Sequence, residues 1–150
     1  MKAIIQRVKH ASVTVDHSLT GKIDLGLLIL LGVQEGDSSE DLEWLAGKIA
    51  KLRIFSDAEG KMNLALQEVK GRILVVSQFT LLASTKKGNR PSYENSAKPE
   101  IAKEMYERFC KRMEVLLNDK VETGIFAADM KVELLNDGPV TIIIDSKNKD

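Results

Sequence analysis

Two short segments, far apart in the chain, carry the residue types that could do chemistry. Ser77-Gln78-Phe79-Thr80-Leu81 follows the apolar run Ile73-Leu74-Val75-Val76, and Asn136-Asp137-Gly138-Pro139-Val140-Thr141 separates two apolar runs near the C-terminus. Each sets small polar groups and free backbone at the tip of an expected strand. Neither has a histidine, a cysteine pair or a carboxylate pair beside it. An enzyme built on them would work through backbone groups, hydroxyls and shape rather than through a charged side-chain base. Alternation along a strand sets Ser77 and Phe79 on one face, Gln78 and Thr80 on the other. A hydroxyl and an amide then share a face near strand-end N–H groups, and such donors stabilise a developing oxyanion. A base for Thr80 is missing, and its hydroxyl is a weak nucleophile without one. The plain structural role for this segment is the polar end of a central strand, with Phe79 in the core.

In the second segment Gly138 exposes backbone and Pro139 removes a donor. The cis form of an X–Pro bond lies only about 0.5–1 kcal/mol above trans. A cis bond would aim two carbonyl oxygens the same way, and such an acceptor pair suits an ammonium group. The sequence leaves the isomer open, and a simple turn is the alternative.

Other candidates carry less. His10 and His17 fall in the first strand-turn region with no nucleophile arranged beside them. Cys110 follows Phe109 in a helical pattern and reads as a buried, inert thiol. Ser84 and Lys87 have a Ser-x-x-Lys spacing without its partner motifs. Gly21-Lys22 and Gly47-Lys48 lack the spacing of a phosphate-binding loop. No metal-ligand cluster is present, so neither a metal nor another cofactor is expected.

The elements that must position these segments follow from periodicity. Residues 2–8 and 11–15 predict strands, His17 to Gly21 a turn, and Ile23 to Val33 a strand buried on both faces. Asp37-Ser38-Ser39 offers a helix N-cap, and Leu42, Leu45, Ala46, Ile49 and Leu52 follow helical spacing. Residues 53–55 predict a short strand, and Arg72 to Leu81 a longer one. Residues 83–96 form a polar loop. A second helix starts near Pro99, with Ile101, Met105, Phe109, Met113 and Leu116 on its buried face. Val121 to Phe126, Lys131 to Leu135 and Val140 to Asp145 are the last strands, with Asp137-Gly138 as a turn between the final two. Strands and helices do not alternate strictly. The expected class is therefore α+β, a curved, mainly antiparallel, barrel-like sheet with two main helices.

Composition bounds the rest. The chain has 150 residues, the length of one domain, and 43% are hydrophobic, enough for a core without disulfides. No apolar run approaches the roughly 18 residues of a membrane span, and the N-terminus has no signal-peptide pattern. With one cysteine, the expectation is a cytoplasmic protein without a membrane partner. Lys and Arg number 22, as do Asp and Glu, so the chain has no overall basic footprint for gripping nucleic acid. The charge is nonetheless uneven. Glu35, Asp37, Glu40, Asp41 and Glu43 form an acidic block, while Lys86, Lys87 and Arg90 form a basic loop soon after the Ser77–Leu81 segment.

Taken together, the two segments resemble the signature motifs of the D-aminoacyl-tRNA deacylases, the D-tyrosyl-tRNA deacylase family. Ile4-Ile5-Gln6-Arg7-Val8 and Gly88-Asn89-Arg90-Pro91-Ser92 resemble that family as well. The resemblance covers the whole chain as a single domain, 1–150, except residues 146–150, expected to be a flexible tail. It implies a homodimer with active sites at the subunit interface. It also implies hydrolysis of the ester that joins a D-amino acid, or glycine mischarged on tRNA-Ala, to the terminal adenosine of tRNA. Ser77, Gln78, Phe79 and Thr80 would be catalytic. Gly138 and Pro139, joined by a cis bond, would enter the other subunit's site and reject L-aminoacyl-tRNA, with Arg7 fixing that segment. Met130 and the loop from Lys86 to Arg90 are candidates for lining the pocket or contacting the RNA end. The substrate's 2′-OH would assist attack by water, with Thr80 as nucleophile the second possibility. The alternative function is a non-catalytic tRNA-end or amino-acid-binding module on the same scaffold.

Overall fold

The computed structural model describes residues 1–150. In chain order the strands are β1 (Lys2–Val15), β2 (Ser18–Ile23), β3 (Gly26–Gly32), β4 (Phe55–Ser56), β5 (Met62–Leu64), β6 (Arg72–Ser77), β7 (Glu122–Thr123) and β8 (Lys131–Asp145). Helix α1 (Ser39–Ala50) lies between β3 and β4, and α2 (Pro99–Leu117) between β6 and β7. The large sheet has six strands in the order β2-β1-β3-β6-β7, with β8 added on β1. The pairings of β1 with β2, β3 and β8 are antiparallel, whereas β3–β6 and β6–β7 are parallel. The sheet is thus mixed and barrel-like, with its two helices, as the α+β expectation required.

β1 organises the sheet because it is long. Its first half pairs with β3, from Lys2↔Gly32 to Val8↔Gly26. Its second half pairs with β2, from Ala11↔Ile23 to Val15↔Ser18. Its opposite edge carries β8 throughout. The expected turn at His17 to Gly21 is confined to Asp16 and His17, both at positive φ, and Ser18–Ile23 is strand. The exposed Leu19 hid this, because the residues after the turn look polar while the free edge of β1 supplies their hydrogen bonds. The curl brings β2 against β7. A Cβ on the buried Gly21 would collide with the carbonyl of Thr123, so this closure needs glycine there.

Two apolar clusters result. The larger lies between the sheet and the helices and includes Ile5, Leu27, Ile29, Leu31, Leu45, Ile49, Val75, Phe109 and Met113. The smaller fills the inside of the curl with Val8, Ala11, Val13, Ile23, Leu28, Leu74 and Val76. β3 and β6 feed both clusters from alternate residues, which is why they read as continuous apolar runs.

Helix α1 is capped by Ser38, whose hydroxyl accepts from the Asp41 N–H while Asp41 accepts from the Ser38 N–H. In α2 Pro99 opens the first turn and Asn118 closes the last in a left-handed conformation. The buried stripe of α2 is Ala102, Met105, Tyr106, Phe109, Cys110, Met113 and Leu117. It corrects two expected positions: Ile101 is exposed and Leu116 only half-buried. Strict four-residue steps drift off a helix face, and the true stripe follows both three- and four-residue steps.

Chain ends meet beside α1. The Met1 ammonium, wholly buried, donates to Asp37 Oδ1 and to Ser146 Oγ, each at 2.6 Å. Lys147 Nζ donates to Asp41 Oδ2 at 2.8 Å. Ser146 and Lys147, expected in a flexible tail, are therefore tied to the fold.

Candidate active site

The first segment sits where β6 loses its neighbour. Ser77 is the last residue of β6 and pairs with Leu31, one residue before β3 ends. The Gln78 N–H still reaches the Leu31 carbonyl at 2.8 Å. The chain then turns into a 3₁₀ turn over Phe79–Leu82, anchored by the buried Leu82. This corrects the expected strand to Leu81, and with it the two-face alternation of Ser77 to Thr80. Without a partner strand the backbone satisfies itself locally: Leu81 N–H donates to the Gln78 carbonyl, Ala83 N–H to that of Thr80. The first N–H groups of such a turn have no partner within it. The Gln78 amide still meets the Thr80 hydroxyl, donating from Nε2 to Oγ1.

Phe79 is not in the core. It is 54% exposed and its ring meets Tyr93 edge-on with centroids 5.0 Å apart. Ser96 Oγ donates to its carbonyl at 3.4 Å. These contacts fix a large apolar ring in solvent at the mouth of a cleft of about 610 Å³. Val76, Ser77, Gln78, Phe79 and Met130 line the cleft, together with Tyr93, Ser96, Lys98 and the segment Phe126–Asp129. Met130 fits because Gly124 leaves room for its thioether.

The second segment is elsewhere in the chain. The expected Asp137-Gly138 hairpin turn does not form: β8 runs unbroken from Lys131 to Asp145. Asn136 pairs with Val8 and Thr141 with Gln6, so Asp137 to Val140 stand opposite Arg7 alone. The result is a wide bulge with Gly138 and Pro139 exposed at its crest and a cis peptide bond between them. Gly138 has φ +142°, and a Cβ there would press on Val140 and on Arg7 Nη2. Arg7 holds the bulge from beneath. Its Nε donates to the Asp137 carbonyl at 2.9 Å and its Nη1 to that of Ile54 at 2.7 Å. Asn136 closes the bulge, accepting from Val140 N–H at 2.8 Å and donating to Thr141 Oγ1 at 3.0 Å.

The structure therefore brings Ser77, Gln78, Phe79 and Met130 to one cleft, with Thr80 next to it on the turn. It keeps Arg7, Gly138 and Pro139 away from the lining of that cleft in the same chain. Sequence reasoning missed Tyr93, Lys98 and Ala127–Asp129 because loop residues show no periodicity, and it placed Phe126 in a strand that in fact covers only Glu122–Thr123. The only signal was an aromatic one residue after Ser92. No group of His, Cys, Asp and Glu side chains is arranged to hold a metal ion. His10 and His17 are exposed and do not line the cleft. Cys110 is buried in α2, and burial pushes its thiol up to about 12, so it stays protonated and unreactive. Tyr106 is also buried; desolvation raises its phenol, which donates to the Val75 carbonyl at 3.0 Å.

Fold and site define a class: an α+β protein whose curved sheet opens on an apolar-floored cleft, rimmed by backbone, amide and hydroxyl groups. A sequence profile described as D-Tyr-tRNA(Tyr) deacylase matches residues 4–145, and the chain belongs to that family, a family of hydrolases. It is 59% identical over 150 residues to a D-aminoacyl-tRNA deacylase of Flavobacterium psychrophilum, with 100% of both chains covered. The same figures hold for a D-aminoacyl-tRNA deacylase of Parabacteroides distasonis. A solved structure described as c-Myc DNA Unwinding Element Binding Protein superposes with a TM-score of 0.91 at 37% identity, covering 97% of this chain and 98% of that one. Another, described as a probable eukaryotic D-amino acid tRNA deacylase, gives 0.80 at 17% identity, covering 95% and 97%, a likeness of fold.

Proposed function

We propose that this chain hydrolyses the ester joining a D-amino acid, or glycine, to the terminal ribose of tRNA, and does so as a homodimer in the cytoplasm. The observation that carries this reading is the separation of the two segments. The cleft has hydroxyl, amide and backbone groups but no rigid acceptor pair. The bulge has rigid, exposed backbone and lines no part of that cleft. A two-fold partner that lays its bulge on this cleft makes one complete site from the two halves. β8 is suited to such contact, because it pairs on one side only and exposes Leu135 and Ile143. No helix of the chain is long and apolar enough to cross a membrane.

The reaction then needs little from side-chain acid–base chemistry. Backbone N–H groups at the turn after Ser77, with the Gln78–Thr80 pair, hold the ester carbonyl and the charge that develops on its oxygen. The substrate's own 2′-OH stands beside the ester and assists the attacking water, so position replaces a protein base. The partner's Gly138 and Pro139 offer carbonyl oxygens to the α-ammonium and leave no space for an L side chain, while a D side chain points out. Glycine has no side chain to reject. Thr80 serves as a positioning group bonded to Gln78.

Turnover of D-Tyr-tRNA and L-Tyr-tRNA tests this reading. The D ester should be cleaved and the L ester left intact. Binding of both with cleavage of neither would replace the enzyme by a tRNA-end binding module. A monomer with full stereoselective turnover would remove the partner's bulge from the site.

A further inference from the structure

Lys86, Lys87 and Arg90 remain unexplained by that site. All three are exposed, and none lies within 4.0 Å of a carboxylate. None lines the cleft, contrary to one of the two roles expected for this loop. The base of their loop is nevertheless fixed. Ser84 and Ser92 form an antiparallel bridge, each N–H donating to the other's carbonyl at 2.8 and 2.9 Å, and this bridge pinches off the loop between them. The next residue, Tyr93, packs on Phe79 at the cleft mouth. The loop is thus clamped at its base to the cleft rim while its tip stands in solvent. Lys98, also exposed and unpaired, stands on the same rim and does line the cleft. The acidic residues next to this rim are Glu94, Glu100, Asp129 and Glu35, whose N–H donates to the Asn95 carbonyl at 2.9 Å; Asp129 is taken up by Lys131 at 3.1 Å.

Other cations of the chain, Lys22 and Lys111 among them, also lack a carboxylate partner, but Lys86, Lys87, Arg90 and Lys98 fall within thirteen residues of one another, on the cleft rim and the loop clamped to it. Unpaired surface cations held at one rim suit a polyanion whose end enters the cleft. Gly88, at φ +119° with open space where a Cβ would be, lets backbone approach closely there. Arg90 presents a planar fork that can grip one phosphate through two N–H groups, and the lysines act as point charges. We propose that the loop from Thr85 to Pro91 is a phosphate clamp that holds the sugar–phosphate backbone just upstream of the nucleotide bearing the ester. It supplies affinity without reading sequence. This inference rests on the proposed reaction for the identity of the polyanion, a single-stranded RNA end.

The test compares two substrates in one variant, Lys86→Ala/Lys87→Ala/Arg90→Ala. On D-Tyr-tRNA, kcat/KM should fall roughly tenfold or more. Removing about three single-strand phosphate contacts should also flatten its dependence on log salt by about 2. On the D-tyrosyl ester of adenosine, which has no phosphate, the variant should match the parent. Equal rates and equal salt slopes on the tRNA substrate would overturn the clamp. So would an equal loss on the adenosine ester, which would make the loop part of the cleft. If the parent cleaves neither substrate, the proposed reaction fails separately. The clamp is then read from uncharged tRNA binding: a flatter salt slope in the variant upholds it, and an unchanged slope overturns it.

Discussion

The turn after β6 and the bulge in β8 interrupt strands in opposite ways. At β6 the partner strand runs out, the backbone closes on itself, and Phe79 and Thr80 swing into solvent beside a cleft. In β8 the partner strand continues, four residues face one, and side chains from β1 and β8 itself hold the excess backbone outward. The first region presents side chains over a pocket. The second presents exposed backbone outside that cleft, stiffened by Arg7 and Asn136. The two are complementary in what they present, and this is the physical ground for proposing them as two halves of one site.

The comparison can be broken most sharply from the substrate side. If the cleft truly lacks a base, a D-aminoacyl ester on 2′-deoxyadenosine should lose the assistance of the neighbouring hydroxyl. Loss of such proton-transfer help is worth about 10²–10⁴ in rate. Single-turnover rates on ribose and deoxyribose esters measure it, and near-equal rates would point to a protein group, Thr80 first.

Arg7→Ala tests the stiffness of the bulge. It removes two charge-assisted bonds to partly buried carbonyls, worth about 1.5–3 kcal/mol each. Denaturation should show a loss of a few kcal/mol, and D/L discrimination should weaken with it. Arg7→Lys should recover only part, because an ammonium cannot span both carbonyls with a planar fork. A folded Arg7→Ala protein with unchanged discrimination would detach the bulge from recognition.

Asn136→Ala removes neutral bonds from the same bulge and should cost about 1 kcal/mol, read as a small fall in midpoint with discrimination reduced less than for Arg7→Ala. An effect larger than that of Arg7→Ala would reverse the ranking of the two props.

The smallest effect near neutral pH belongs to a region remote from both. For Asp41, burial opposes the charge, but Lys147 and Ser38 outweigh it and hold the carboxyl below its ordinary 3.8. That depressed value stabilises the fold above the unfolded value, and the contribution is lost as pH falls through the acid range. Lys147 is raised above its ordinary 10.5, chiefly by Asp41. Its contribution is present below 10.5 and disappears as pH rises through the raised value. Lys147→Ala should therefore lower stability at pH 7 slightly, flatten both limbs of the stability profile, and leave deacylation unchanged. A stability profile parallel to the parent's would deny the pair its role.

Much of the scaffold was legible because its signals are local. Ser38 and Asp41 reciprocate within one turn, Pro99 opens a helix, and the apolar runs of β3 and β6 announce burial on both faces. Elements whose structure depends on a distant partner were not legible. Ser18–Ile23 is strand because β1 offers an edge, and Lys131–Asp145 stays one strand because β1 runs beneath it for its whole length. Of the candidate site, the residues were legible but their geometry was not. Phe79 passes for a core residue until β3 ends and leaves it outside.

By itself the sequence determined the family, the small set of residues with usable chemistry, and the periodic elements that carry them. These depend on side-chain type and short-range spacing, and both are written along the chain. Tertiary structure alone decided where β6 stops, that Asp137-Gly138 is a bulge rather than a hairpin, and that the two motifs lie apart. Backbone hydrogen bonds must be satisfied by whichever strand is adjacent in space, and adjacency in space is fixed by the whole fold, not by neighbouring residues.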